Sequence, residues 1–83
     1  MSKNKATIWG NASNCPYCDK AEALLSSKGW EIDYYKIGKN VTKDMFLERF
    51  PGIRTVPQIE LNGIHIGGYS DLCVYFGTNY ANL

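Results

Sequence analysis

No stretch of the chain approaches the ~18 consecutive apolar residues of a membrane-spanning helix, so no membrane partner is expected. No apolar segment backs the polar opening Met1-Ser2-Lys3-Asn4-Lys5, and no secretory signal is expected. Neither sign of charge is in excess: nine Lys and Arg stand against eight Asp and Glu, for a net +1. A phosphate backbone is bound by a clustered basic face, so this balance argues against a nucleic-acid partner. Cysteine is scarce and odd in number, at three. That count does not suit a secreted miniprotein stapled by disulfides. In a reducing cytosol, a close pair plus one extra points to redox chemistry or metal binding, and a cytoplasmic location is expected. No Gly-, Ser- or Pro-rich linker and no internal repeat divides the chain.

What is present suffices for one compact unit. The 83 residues are 45% hydrophobic and 13% aromatic, with six Tyr and two Trp. A single domain over residues 1–83 is expected, since independent domains run upward from about 50 residues. A chain this short buries only a little over ~60% of its unfolded surface, so its stability is modest.

The pattern along the chain alternates strands and helices. Residues 1–5 read as a polar arm and 78–83 as a tail expected to fray. Ala6-Thr7-Ile8-Trp9 is a β-prone run closed by the turn-rich Gly10-Asn11-Ala12-Ser13-Asn14. Pro16 suits the first position of a helix, where a missing N–H costs nothing. Cys18, Ala21, Leu24, Leu25 and Lys28 follow at helical spacing, and Gly29 is a natural stop. Trp30 to Ile37 reads as a second strand. Thr42 caps a second helix whose apolar face is Met45, Phe46 and Phe50, ended by Pro51-Gly52. Gln58–Leu61 and Ile64–Ile66 flank Asn62-Gly63, the residue pair of a two-residue type I′ hairpin. After Gly67-Gly68, a third helix capped by Ser70 or Asp71 carries Leu72, Tyr75 and Phe76. The order β-α-β-α-β-β-α predicts an α/β fold with a four-stranded mixed sheet and three helices.

Cys15-Pro16-Tyr17-Cys18 lies between the first strand and the first helix. In that context a C-x-x-C reads as a thiol–disulfide site. Two sulfurs three residues apart at a helix start can reach bonding distance. The unpaired N–H groups and the positive dipole end there stabilise a thiolate, lowering a thiol from its reference pKa of ~8.5. Cys15, at the exposed end, is the expected nucleophile; Cys18, one turn in, is the expected resolving thiol. The bland alternative is a zinc half-site. Tetrahedral zinc takes four ligands, and only Cys73 and His65 remain, at spacings that do not suit it. No metal is therefore expected.

Two further segments each have two readings. Pro57 in Thr55-Val56-Pro57 is either a turn or edge proline, or a cis residue that presents the Val56 backbone to a ligand. Gly67-Gly68-Tyr69-Ser70-Asp71 is either strand termination with helix capping, or a site where N–H groups take a carboxylate and Asp71 an ammonium. Cys73 is expected to face the core, with a regulatory or dimer-forming thiol as the sharper alternative. His65 is expected to be exposed or partnered by a neighbour. Trp9, Tyr34, Tyr35 and Phe46 read as core, Trp30 as partly exposed, and Tyr69 as either a groove or a packing residue.

Taken together, Cys-Pro-Tyr-Cys, Arg54-Thr55-Val56-Pro57-Gln58, Asn62-Gly63 and Gly67-Gly68-Tyr69-Ser70-Asp71-Leu72 resemble the glutaredoxin family over roughly residues 6–77. Ala23-Leu24-Leu25-Ser26-Ser27-Lys28-Gly29 resembles the first helix of small bacterial members. The resemblance implies a thioredoxin-like fold, a cis Pro57 beside the dithiol, and glutathione as co-substrate with no tightly bound cofactor. It implies that Val56, in the Thr55-Val56-Pro57 segment, pairs its backbone with the cysteinyl part of glutathione. Ser70 and Asp71 would hold the γ-glutamyl end, Gly68 would let the backbone approach, and Tyr17 would wall the groove. Arg54 would meet the glycyl carboxylate. Many members carry a Lys shortly before the first Cys. Here that segment is Gly10–Asn14, longer and without Lys, as in phage-encoded members; Lys43 reads first as a solvated surface charge, with a substitute for that Lys as the sharper alternative.

The expected partners are glutathione and disulfide-containing or glutathionylated proteins, with ribonucleotide reductase as the client the family suggests and a monomeric chain. Two other functions stay open. One is a glutathione-ligated iron–sulfur cluster bridging two copies through Cys15, against which Pro16 and Tyr17 weigh by crowding. The other is an electron donor served by thioredoxin reductase.

Overall fold

A computed structural model describes residues 4–77. Four strands and three helices alternate as β1 (Lys5–Asn11), α1 (Pro16–Ser27), β2 (Glu31–Ile37), α2 (Lys43–Arg49), β3 (Gln58–Leu61), β4 (Ile64–Gly67) and α3 (Tyr69–Tyr75). The sheet order is β2-β1-β3-β4. β1 runs parallel to β2 and antiparallel to β3, and β3 is antiparallel to β4. The expected mixed sheet and element order are present.

β1 lengthens at both ends, β2 starts one residue later, at Glu31, and β4 runs one residue further, to Gly67. β1 begins at Lys5, inside the expected polar arm, and runs through Gly10 and Asn11, inside the expected turn. The parallel ladder is the reason: it continues from Lys5↔Glu31 to Asn11↔Ile37. The expected tail 78–83 lies outside the described residues.

The strands alternate their side chains between two apolar layers. Ala6 and Ile8 of β1, with Ile59 and Leu61 of β3, face α1 and α3, where Ala21, Leu25, Leu72 and Cys73 close the layer. Trp9 turns to the opposite face and packs with Val41, Phe46 and Phe50 under α2. Ile8, Leu25, Ile59 and Leu72 are fully buried. Each such side chain contributes about 1.5–3 kcal/mol relative to exposure. Cys73 is also fully buried, as expected. Tyr34 and Tyr35, expected in the core, are half-buried, because β2 is an edge strand.

The helix faces follow i, i+4 spacing rather than every apolar residue. Phe46 and Phe50 occupy the inner face of α2, so Met45 is left 48% exposed. On α3, Leu72 and Phe76 turn inward and Tyr75 points out, 56% exposed. Thr42 caps α2 as expected, its Oγ1 accepting from Met45 N at 3.1 Å. The N-cap of α3 is Gly68, not Ser70 or Asp71. Asp71 serves that cap from inside the first turn, its Oδ2 accepting from Gly68 N at 2.9 Å. The carboxylate fills the space beside Gly67, whose φ of +121° favours glycine. A methyl group there would lie 2.3 Å from Asp71 Oδ2.

Glu60 is the charged residue buried against Trp9. It accepts from Trp9 Nε1 at 3.1 Å and pairs with Arg49, so its charge is matched. The Asn62-Gly63 turn has positive φ at both residues, as a type I′ hairpin demands. Asn62 ties the tip to β1 through Lys5, by hydrogen bonds of 2.8 and 3.0 Å.

Candidate active site

Cys15 and Cys18 are joined by a disulfide, with their Cα atoms 5.2 Å apart. The local chain dictates this pairing. Asn14, with a positive φ of 52°, reverses the chain after β1. Cys15 is the N-cap of α1 and Pro16 follows at its start. The Cys15 carbonyl accepts from Asp19 N at 3.1 Å, closing the first turn. One turn of helix then brings Cys18 back beneath Cys15. Cys18 is fully buried while Cys15 keeps partial exposure. An attacking thiol therefore reaches Cys15 first.

Tyr17, between the two cysteines in sequence, borders a cleft of about 160 Å³. Tyr17 forms one wall, Thr55, Val56 and Pro57 the second, and Gly68, Tyr69 and Ser70 the third. The Val56–Pro57 bond is cis, as the resemblance implies. The vacant side of Gly68 faces the Pro57 carbonyl, from which a methyl group would stand 3.4 Å. The Tyr17 and Tyr69 rings lie 5.8 Å apart, with Tyr69 buried and Tyr17 47% exposed. Tyr69 thus both packs and lines the cleft. Asp71 is not among the cleft-lining residues; it sits one residue beyond Ser70, exposed, with one oxygen engaged by Gly68 N. A carboxylate has further acceptor positions, so it retains capacity for an ammonium.

Arg54 lies apart from this cleft. It lines a larger groove of about 820 Å³, shared with Lys43, Phe46, Ile53 and Val56. Val56 borders both spaces, so cleft and groove meet there. Lys43, which its sequence position suggests is a solvated surface charge, is brought by α2 to the same groove as Arg54.

Sequence reasoning missed the support behind the proline loop. Gln58 Nε2 donates to Thr55 O at 2.9 Å and to Thr55 Oγ1 at 3.2 Å. Its Oε1 contacts His65 Nε2 at 2.8 Å, and the His65 ring packs on Phe50 at 4.6 Å. β3 and β4 thereby hold the loop from behind. A polar Gln at a buried strand position next to Pro57 was the available signal. His65 is partnered, as expected, and Cys73 stays inside the α1–α3 layer.

A four-stranded thioredoxin-like sheet carrying a Cys-x-x-C disulfide at the start of its first helix defines a class of dithiol oxidoreductases. The chain belongs to the glutaredoxin family: the model of the family described as glutaredoxin matches residues 2–66. That match ends before the Gly67–Asp71 turn. Glutaredoxin 3 of Escherichia coli strain K12 is 47% identical over 58 residues, covering 70% of each chain. A crystal structure of glutaredoxin 1 from Francisella tularensis, complexed with cacodylate, superposes with a TM-score of 0.75 at 26% identity, covering 89% of this chain and 93% of that one. The NMR structure of oxidized Escherichia coli glutaredoxin gives a TM-score of 0.70 at 30% identity, covering 93% and 98%. Family membership implies thiol–disulfide oxidoreductase activity.

Proposed function

We propose that the chain is a glutathione-dependent thiol–disulfide oxidoreductase working through Cys15 and Cys18. The observation that carries this reading is the partly exposed Cys15 bonded to a buried Cys18, with Tyr17 between them in sequence walling a cleft together with the Val56–Pro57 segment. Cys15 thiolate attacks a substrate disulfide and forms a mixed disulfide. Cys18 then attacks Cys15 Sγ, the substrate thiolate leaves, and the internal disulfide forms. Two glutathiones reduce it: the first bonds to Cys15 and releases Cys18, and the second removes the first as glutathione disulfide. With a glutathionylated substrate, glutathione alone resolves the Cys15 adduct. Exchange of this kind needs a thiolate attacker and a good leaving thiol, both favoured at a helix start.

The glutathione contacts belong to the same reading. The Val56 backbone pairs with the cysteinyl part, flanked by Thr55 and Pro57, and Tyr17 covers it. Gly68 admits the backbone, and Ser70 and Asp71 take the γ-glutamyl end. Arg54, with Lys43 beside it in the groove, meets the glycyl carboxylate. This pair of cations supports glutathione binding without a Lys before Cys15. Resemblance alone suggests ribonucleotide reductase as a client, and we place the reaction in the cytoplasm with the chain as a monomer.

The test is turnover of a small glutathione mixed disulfide coupled to glutathione reductase. Activity is expected from the wild type, none from Cys15→Ser, and retained activity from Cys18→Ser. Equal loss from both substitutions refutes the assigned roles. Turnover with thioredoxin reductase but not with glutathione refutes the glutathione half.

A further inference from the structure

Gly10 lies on β1 beneath the disulfide, and its missing side chain leaves room for two others. A methyl group on its Cα would stand 2.6 Å from Cys18 Sγ and 2.9 Å from Tyr34 Oη. Neither separation is tolerated by real atoms, so the sulfur and the phenol converge on one small space above the strand. Cys18 reaches it from α1 and Tyr34 from β2. Cys18 is fully buried, so water does not solvate its sulfur.

On its outer side Tyr34 borders a hollow of about 110 Å³ that also touches Cys15, Asp19 and Glu22. Burial first, then the Asp19 and Glu22 carboxylates, hold the phenol above its usual pKa. Lys36 Nζ stands 5.1 Å from the ring centre. Asp19 and Glu22 from α1 and Lys36 from β2 are the charged groups around it. A phenol so placed keeps its proton through the range where a thiol of ordinary pKa, ~8.5, titrates.

We propose that Tyr34 is a positioning residue for the resolving sulfur, its hydroxyl donating a hydrogen bond to the Cys18 thiolate. The inference rests on the dithiol reading above and deepens it. When an external thiolate attacks Cys15 Sγ, a new disulfide forms between them and the Cys15–Cys18 bond breaks. The electron pair stays on Cys18, which later takes a proton from solvent. A disulfide sulfur is a weak acceptor, whereas a thiolate makes a shorter and stronger charge-assisted bond. A buried anion without a partner is costly, and two nearby carboxylates oppose it further. The Tyr34 O–H offsets that cost at the moment the charge appears. It lowers the pKa of the Cys18 thiol, which makes Cys18 leave faster and raises its thiolate fraction for the reverse attack.

The test uses the full chain in its Cys15→Ser form, with the ¹³Cβ shift of Cys18 followed against pH. Tyr34→Phe is expected to raise the Cys18 midpoint by about one unit, a tenfold fall in thiolate fraction at fixed pH, or ~1.4 kcal/mol. Gly10→Ala pushes hydroxyl and sulfur apart while keeping the phenol, and is expected to move the midpoint the same way. In protein with both cysteines, opening of the disulfide by dithiothreitol is expected to slow by about threefold to tenfold with Tyr34→Phe. An unchanged midpoint in both variants overturns the inference, even where the melting temperature falls. Neither measurement uses glutathione, so a failure of glutathione turnover bears on the proposed function alone.

Discussion

Asp71 is assigned two roles that a pair of substitutions separates. Its Oδ2 accepts from Gly68 N at 2.9 Å and so caps α3. Its negative charge is proposed to meet the ammonium of glutathione. Losing a helix-capping acceptor costs ~1 kcal/mol. For a domain of this size that corresponds to roughly 4–8 °C in melting temperature. The charge is exposed, and an exposed ion pair is worth ~0.2–1 kcal/mol, which limits its loss to about a fivefold rise in KM. Asp71→Asn keeps an oxygen acceptor and removes the charge, whereas Asp71→Ala removes both. Asn is therefore expected to raise the KM for glutathione about twofold to fivefold while melting close to wild type. Ala is expected to raise KM at least as much and to melt roughly 4–8 °C lower. Melting followed by circular dichroism and the coupled reductase assay read the two effects independently. A wild-type KM for Asn refutes the ammonium contact, and a wild-type melting temperature for Ala refutes the cap.

Arg54→Ala combined with Lys43→Ala should raise the KM for glutathione by about twofold to fivefold, with the difference shrinking as salt is added; a salt-independent difference contradicts an electrostatic role. Glu60→Ala leaves the Trp9 N–H without its acceptor and should destabilise the fold by about 2–3 kcal/mol in urea, read by tryptophan fluorescence. Glu60→Gln, which retains an acceptor, should cost less, and equal losses would show that the Trp9 bond is not the cause. The Tyr34 phenol is raised above its unfolded pKa of ~10, so its neutral form supports the fold fully below that pH and the support fades as pH climbs through the folded value. Melting temperature should accordingly fall less steeply above pH ~10 in Tyr34→Phe than in wild type; parallel curves would contradict the shift.

Where the determining interactions are local, the sequence is a sufficient guide. Pro16 after Cys15, Thr42 three residues before Met45, and Asn62-Gly63 between two short runs each specify their element through a bond or dihedral made within a few residues. The Cys-x-x-C spacing likewise sets the redox pair, because one helical turn brings residue 18 back to residue 15. Where partners come from distant strands, sequence position misleads. β1 runs on through Gly10 and Asn11 because β2 supplies a parallel ladder. Met45 is apolar yet exposed, since Phe46 and Phe50 take the face that meets Trp9. Asp71 caps α3 from within the helix because Gly67 leaves it room.

The sequence alone determined the order of elements, the sulfur pair and the segments that could form a cleft beside it. It carried these through short-range geometry and through motifs whose residues act where they stand. Only the tertiary structure decided which side chains share a space. It put Lys43 in one groove with Arg54, set Gln58 and His65 behind the proline loop, and brought Tyr34 over Gly10 to Cys18. Those meetings depend on strand order and on the missing side chain of one glycine, and no local pattern encodes either.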